Sequence, residues 1–223
     1  MQNTGWRGRR LVGRLTATII AAAFVFPATA AGQQYREVVV PATVELTAFG
    51  GAFLPMSVLG SQGDSLKADL STKPAFGASL EYWFGGGFGI GVSGGLASPD
   101  LTLTTADLGT GQQDVADLGS VDYLHGEALL LWRPQLASSA SVLLPYFGAG
   151  AGIRRLGFAT DSGFEDTSDV TIVLNAGTQL WVSERVHLRL DVRDLISSFE
   201  GGPFESSDTQ HDLFVQVGLG LGL

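Results

Sequence analysis

Leu213-Phe214-Val215-Gln216-Val217-Gly218-Leu219-Gly220-Leu221-Gly222-Leu223 is the stretch that decides the fold. Every odd position is aliphatic, and the even positions are Phe214, Gln216 and three glycines. A strand points successive side chains to opposite faces, so one face here is continuously apolar and the other small or polar. The length, about ten residues, suits a tilted strand that crosses a bilayer. With no residue after Leu223 to cover the apolar face, lipid is the expected cover.

The other end of the chain points the same way. Arg7, Arg9, Arg10 and Arg14 precede an apolar run, Leu15 to Phe26, and Ala28-Thr29-Ala30 has the small-x-small form of a cleavage site. That order predicts a secretory signal peptide over residues 1–30. A membrane-anchoring helix needs about 20 apolar residues, and Pro27 with the polar stretch after it cuts this run short. Residues 31–42 read as a short periplasmic lead-in and 43–223 as one barrel domain. The full chain has a net charge of −9. Four of its thirteen basic residues lie in the leader, which leaves nine against 22 acidic residues, a net of −13. Nucleic acid is an unsuitable partner for such a surface. The absence of cysteine excludes a disulfide framework and a thiolate metal site.

Eight candidate strands follow: Thr43–Leu54, Ala75–Phe84, Phe88–Leu96, Val121–Arg133, Pro145–Arg154, Val170–Val182, Val186–Leu195 and His211–Leu223. Their links alternate between long (Pro55 to Pro74, Ala97 to Ser120, Arg155 to Asp169, Ile196 to Gln210) and short (Gly85 to Gly87, Pro134 to Leu144, Ser183 to Arg185). Short periplasmic turns alternating with long outer loops define an all-β, eight-stranded, antiparallel up-and-down transmembrane barrel. The last strand should pair with the first around Val44–Ala48.

Side-chain parity sorts the charges. Leu188, Leu190 and Val192 share one face while Arg189, Asp191 and Arg193 share the other, and Leu124, Ala128 and Leu130 oppose His125 and Glu127. Glu45, Glu81 and Arg154 likewise lie opposite apolar neighbours. A soluble secreted barrel of the lipocalin kind reverses this, with its apolar side inside. A two-sheet sandwich also alternates, but must hide its sheet edges. Tyr82, Phe84, Phe88, Trp132 and Phe147 fall on the apolar face near the short links, as an interfacial girdle, with Phe76 at the opposite rim.

Three stretches resemble the small eight-stranded outer-membrane barrels, the OmpA-like and OmpX-like group. Pro145-Tyr146-Phe147-Gly148-Ala149-Gly150-Ala151-Gly152 resembles the Pro-Tyr-x-Gly-x-Gly-x-Gly strand of the group, and Leu188 to Asp194 resembles its alternating Arg/Asp strand. Gln216, Gly218, Leu221 and Leu223 are similar to the C-terminal signal read by the barrel-assembly machinery, although the group closes on phenylalanine with an aromatic two places before. The resemblance covers Thr43 to Leu223. It implies location in the outer membrane of a Gram-negative-type bacterium, with outer-membrane lipids and the assembly machinery as partners.

The inward face gathers Glu45, Glu81, Glu127, Arg154, Arg189, Asp191 and Arg193, with Tyr123, His125 and His187. An eight-stranded barrel is just wide enough for its side chains to fill it, so the expected result is a polar plug of paired charges. The alternatives are a proton-linked gate at His125 or His187, a narrow channel for small solutes, and a lipid-modifying enzyme. The enzyme would need a serine or histidine aligned with a carboxylate, facing lipid or the outer rim, and the three histidines fall inward or, for His211, at a strand start. Gly89-x-Gly91-x-x-Gly94 matches a dinucleotide fingerprint, but no helix follows it. The acidic loop residues (Asp107, Asp114, Asp117, Asp161, Glu165, Asp166, Asp169, Glu200, Glu205 and Asp208) lack the spacing of a calcium loop. The expectation is therefore a monomeric, non-catalytic outer-membrane barrel with no cofactor or metal and a structural or surface-interaction role. Deleting Leu219 to Leu223 should abolish insertion. Leu223→Phe should be tolerated or improve assembly, both read from the yield of heat-modifiable barrel on a gel.

Overall fold

The structure is a computed structural model and describes residues 44–62, 66–84, 87–106, 112–134, 143–158, 166–198 and 209–223. The signal-peptide and lead-in expectations, over residues 1–42, lie outside these residues. All described residues belong to the unit Glu37–Leu223.

Eight long strands close into an antiparallel barrel: β1 (Val44–Pro55), β4 (Lys73–Phe84), β5 (Phe88–Ala97), β8 (Asp122–Trp132), β9 (Leu143–Gly157), β10 (Thr167–Trp181), β11 (Val186–Ser198) and β12 (Thr209–Gly222). Each pairs with its neighbour in sequence order, and β12 returns to β1. Closure sets Glu45 against Gly222, Leu46 against Leu221 and Ala48 against Leu219. The amide of Leu223 adds a bond to the Val44 carbonyl at 2.9 Å. No barrel edge is left, so the strands' backbone donors and acceptors are satisfied within the ladder.

Alternation is strict along most strands. In β8 the pattern from Asp122 to Trp132 is exposed, buried, exposed throughout, and β12 behaves alike over its last half. Leu130 is 71% exposed and its neighbour Leu129 only 4%. The outer surface is thus built from leucine, isoleucine, valine and alanine. Near the short links Phe84 pairs with Phe88, Phe88 with Trp132 and Trp132 with Phe147. The Trp132 and Phe147 rings stack at 6.1 Å. These aromatics form one continuous arc around the rim at which Val44 and Leu223 lie.

The first two long links hold structure that alternation of the eight main strands did not reveal. They contain β2 (Gly60–Gln62), β3 (Leu66–Leu70), β6 (Asp100–Ala106) and β7 (Gln113–Ser120), joined as a second sheet in the order β2-β3-β6-β7. Topology explains it. These links leave neighbouring hairpins at the same end of the barrel, and the alternating leucines Leu66, Leu70, Leu101 and Leu103 give them a shared apolar face. Leu59, Ala68, Leu70 and Leu101 are buried in one core cluster with Phe53, Tyr123, Leu156, Leu195 and Phe214 of the barrel. The third and fourth links are shorter than expected, because β9 runs to Gly157 and β11 to Ser198.

Close strand approach constrains Gly150 of β9. A Cβ there would lie 1.9 Å from the Ala128 carbonyl oxygen of β8. Gly150→Ala should therefore destabilise the barrel by at least about 1–3 kcal/mol through overpacking. Ala149→Val, on the outer face beside it, should be tolerated; urea titration of heat-modifiability checks both.

Candidate functional site

Every inward position between the rims contributes to the barrel interior, and its charged residues fall into three groups along the axis. At the end where Val44 meets Leu223, Arg133 donates to Glu45 at 3.1 Å and also to the side-chain oxygen of Gln179. Gln179 in turn donates to the second Glu45 oxygen at 2.6 Å. The Arg133 guanidinium lies 3.8 Å from the centre of the Trp83 ring, within cation–π range. His187 packs on Trp181 at 4.7 Å, with its Nε2 4.0 Å from Glu45.

The middle group is carried by β11, where Arg189, Asp191 and Arg193 follow at every second residue and so share the inner face. Arg189 pairs with Glu81 of β4 and, at 2.9 Å, with Asp191. Arg193 pairs with Glu127 of β8 and, at 3.2 Å, with Asp191. The Tyr146 hydroxyl donates to Asp191 at 2.9 Å, and the Asn175 amide donates to its other oxygen. Asp191 therefore joins two arginines that reach opposite ways. Ser93 and His125, the latter 3.0 Å from Glu127, complete the group.

Nearer the second sheet, Arg154 of β9 donates to Asp212 at 2.8 Å, Asp169 at 2.7 Å and Gln210 at 2.7 Å. Tyr123 donates to the same Asp212 oxygen at 2.8 Å. Beside this group the interior becomes aromatic: Phe53, Tyr123 and Phe214 pack with ring centres 4.7–5.7 Å apart. Gln210 also donates to the Leu59 carbonyl, which ties the second sheet's entry to the barrel wall.

The seven residues read from parity are thus all buried, but they do not form one cluster. Glu81, Glu127, Arg189, Asp191 and Arg193 meet, Glu45 sits apart with Arg133, and Arg154 sits apart with Asp212. Arg133 and Asp212 complete two of the three groups and were not singled out from the sequence. The signal was present: Arg133 shares parity with Glu127, and Asp212 shares parity with Phe214 and Gln216. The interior is also less polar than expected, because Phe49, Phe53 and Phe214 share its face. Of the C-terminal signal residues, Gln216 and Gly218 point inward and Leu221 and Leu223 outward.

The remaining candidates disperse. Gly89, Gly91 and Gly94 lie along β5, where a Cβ on Gly89 would stand 2.9 Å from the Trp83 ring. Asp166 pairs with Arg155 at 3.3 Å, and Asp114 and Asp117 lie on β7. Asp69, on β3, has its carboxyl raised above the usual range by burial, against the opposing pull of Lys67. Asp107, Asp161, Glu165, Glu200, Glu205 and Asp208 lie outside the described residues. Among the described residues no three carboxylate or histidine side chains gather as a metal site would require. His211 lies on the outer face and holds Asp194 at 2.9 Å, so this one histidine does align with a carboxylate at the long-link rim.

No protein family and no curated protein matches the sequence. Solved structures do match the fold. The outer membrane protein OprG from Pseudomonas aeruginosa superposes with a TM-score of 0.59 at 16% identity, over 83% of this chain and 98% of that one. Neisserial surface protein A superposes with a TM-score of 0.54 at 12% identity, over 82% and 99%. The fold is that of the small eight-stranded outer-membrane barrels.

Removing one partner of a buried ion pair typically costs about 3–5 kcal/mol, because the other charge is left unpaired. Arg189→Met, which takes from Glu81 its arginine and leaves Asp191 with Arg193 alone, should lower stability by that amount in urea unfolding. Adding Glu81→Gln in the same chain should recover part of the loss.

Proposed function

We propose that this chain is an integral outer-membrane barrel with a filled, non-conducting interior, and that it has a structural or surface-interaction role without catalysis. Its location follows from the sign of the alternation. A face free of charge between the rims, with an arc of aromatics at one end, has no favourable exposure in water and an ordinary one in lipid. The leader predicted at residues 1–30 supplies the export route.

The observation that carries the closed interior is the succession of layers across the axis. Three groups of paired charges follow one another, the last beside the Phe53–Tyr123–Phe214 cluster, and the second sheet joins that cluster through Leu59 and Leu101. An ion entering along the axis would have to break paired arginines and pass the aromatic side chains beside them. Charges paired in this way are costly to separate, so transient opening is disfavoured at several heights at once. A narrow channel is the rival reading. A lipid-modifying enzyme would need a nucleophile joined to the outer His211–Asp194 pair; the nearby Ser57 hydroxyl accepts instead from the His211 backbone amide at 2.8 Å, and no hydrogen bond joins a hydroxyl to the ring among the described residues.

Refolded into planar bilayers, the protein should give no discrete conductance steps. In cells it should fractionate with outer membranes and run differently on gels when unheated. Regular single-channel steps would favour the channel, and recovery in the soluble periplasmic fraction would remove the membrane reading altogether.

A further inference from the structure

The second sheet ends on an unusual strand. Its order β2-β3-β6-β7 makes β2 one edge and β7 the other. β2 is three residues long, too short to accept a partner of any length, whereas β7 has eight. Among the described residues β7 pairs with β6 alone, and all its residues but Leu118 are exposed. Val115 is 67% exposed. Gln113 to Asp117 stay in unbroken register with Ala106 to Thr102, and irregularity begins only where Asp117 bonds the amide of Gly119 at 2.9 Å. Among the described residues no strand pairs with the other side of these five, whose outward backbone donors and acceptors are the template that strand addition uses.

Charge decides what can use it. Successive pairings put Asp69, Thr102 and Asp117 in one row and Leu66, Thr105 and Asp114 in another, two rows whose side chains point to opposite faces. Each face of the free edge therefore ends on a carboxylate. A second copy added antiparallel about Val115 and Ala116 would set Asp114 against Asp117 twice, and like charges directly opposite are destabilising. The chain's net charge of −9 opposes self-association further. An incoming strand with lysine or arginine opposite those positions gains where a second copy loses.

We propose that β7 is a docking edge for an extended, basic segment of another protein, which adds to the sheet as a fifth strand. This rests on the surface-interaction reading above and names its partner class. Anchorage supports it: Leu59, Ala68, Leu70 and Leu101 are buried against the barrel, and Ser71 and Val121 bond the Asp100 and Pro99 carbonyls at 2.9 and 2.7 Å. The edge is thus held on a fixed frame, which lowers the ordering cost of binding.

The test uses the full mature chain refolded in detergent, with the gel heat shift as the check on the barrel. The probe is a fluorescein-labelled peptide of four Lys-Val repeats, followed by anisotropy. A Glu-Val counterpart carries the opposite charge, and a third peptide keeps the lysines but is N-methylated at every second amide. The basic peptide should bind saturably, and both others should bind about tenfold or more weakly, given the usual worth of cross-strand pairs and lost ladder bonds. Asp114→Lys/Asp117→Lys, at two exposed positions, should reverse the preference between the charged peptides. Equal binding of the N-methylated peptide would reduce the effect to bulk charge and overturn the proposal. Unchanged binding to the double variant, or no binding by a heat-shifting barrel, would do the same while leaving the barrel reading intact. A dimer in sedimentation that competes with the basic peptide would give the edge to a second copy and overturn it. Absence of the heat shift in the unmodified chain would overturn the barrel reading and this one together.

Discussion

Everything in this structure depends on closing a sheet whose outer face is apolar. A sheet with an apolar outer face tolerates lipid only if no backbone group at its edges is left without a partner, since each unpaired group in hydrocarbon costs several kcal/mol. The pairing of β1 with β12 meets that condition from Glu45–Gly222 to Pro55–Asp212. Once the ring is closed, the two-residue period leaves no freedom. A slip of one residue would turn Leu219 and Leu221 inward and Gln216 and Gly218 outward, so register and sidedness are a single choice.

Closure also creates the interior problem. Eight strands enclose a narrow space lined by their inward side chains, and strands this close leave little room for every inward position to be large. The structure divides the space between bulky and absent side chains. Tyr146 reaches across to Gly177, where a Cβ would come within 2.4 Å of its hydroxyl oxygen, and His125 lies against Gly95, where a Cβ would meet its ring at 2.6 Å. These glycines face the interior beside the residues that carry charge or a ring. The arginines are long enough to span from one wall to the other, which is how Arg189 and Arg193 of a single strand reach Glu81 of β4 and Glu127 of β8. Lining the interior and pairing its charges are thus done by the same side chains.

The barrel was legible in the sequence because period-two alternation is a local signal that needs no knowledge of partners. Leu188 to Arg193 shows both sidedness and charge placement within six residues, and the alternating link lengths order the strands. Which charges meet was not legible. Arg154 and Asp212 lie in strands that do not adjoin, so parity puts them in one space without saying at what height. Arg133 was visible on the inward side but stands just past its strand, where the interior opens towards the rim. The second sheet was harder still. β3 and β6 are five and seven residues long, separated by two barrel strands, and their leucines acquire a shared face only after the barrel has brought the two links together.

The most direct test of the central claim, that the charge-free face meets lipid and the charged face does not, is a cysteine scan along β12. The chain has no native cysteine, so single cysteines from position 214 to 221 can each carry a spin label in refolded, lipid-embedded protein. Collision with oxygen, which concentrates in hydrocarbon, is compared with collision with a water-soluble nickel chelate. High oxygen and low nickel accessibility are expected at 215, 217, 219 and 221, and low values of both at 214, 216, 218 and 220. Nickel accessibility at the odd positions, or no alternation at all, would contradict it.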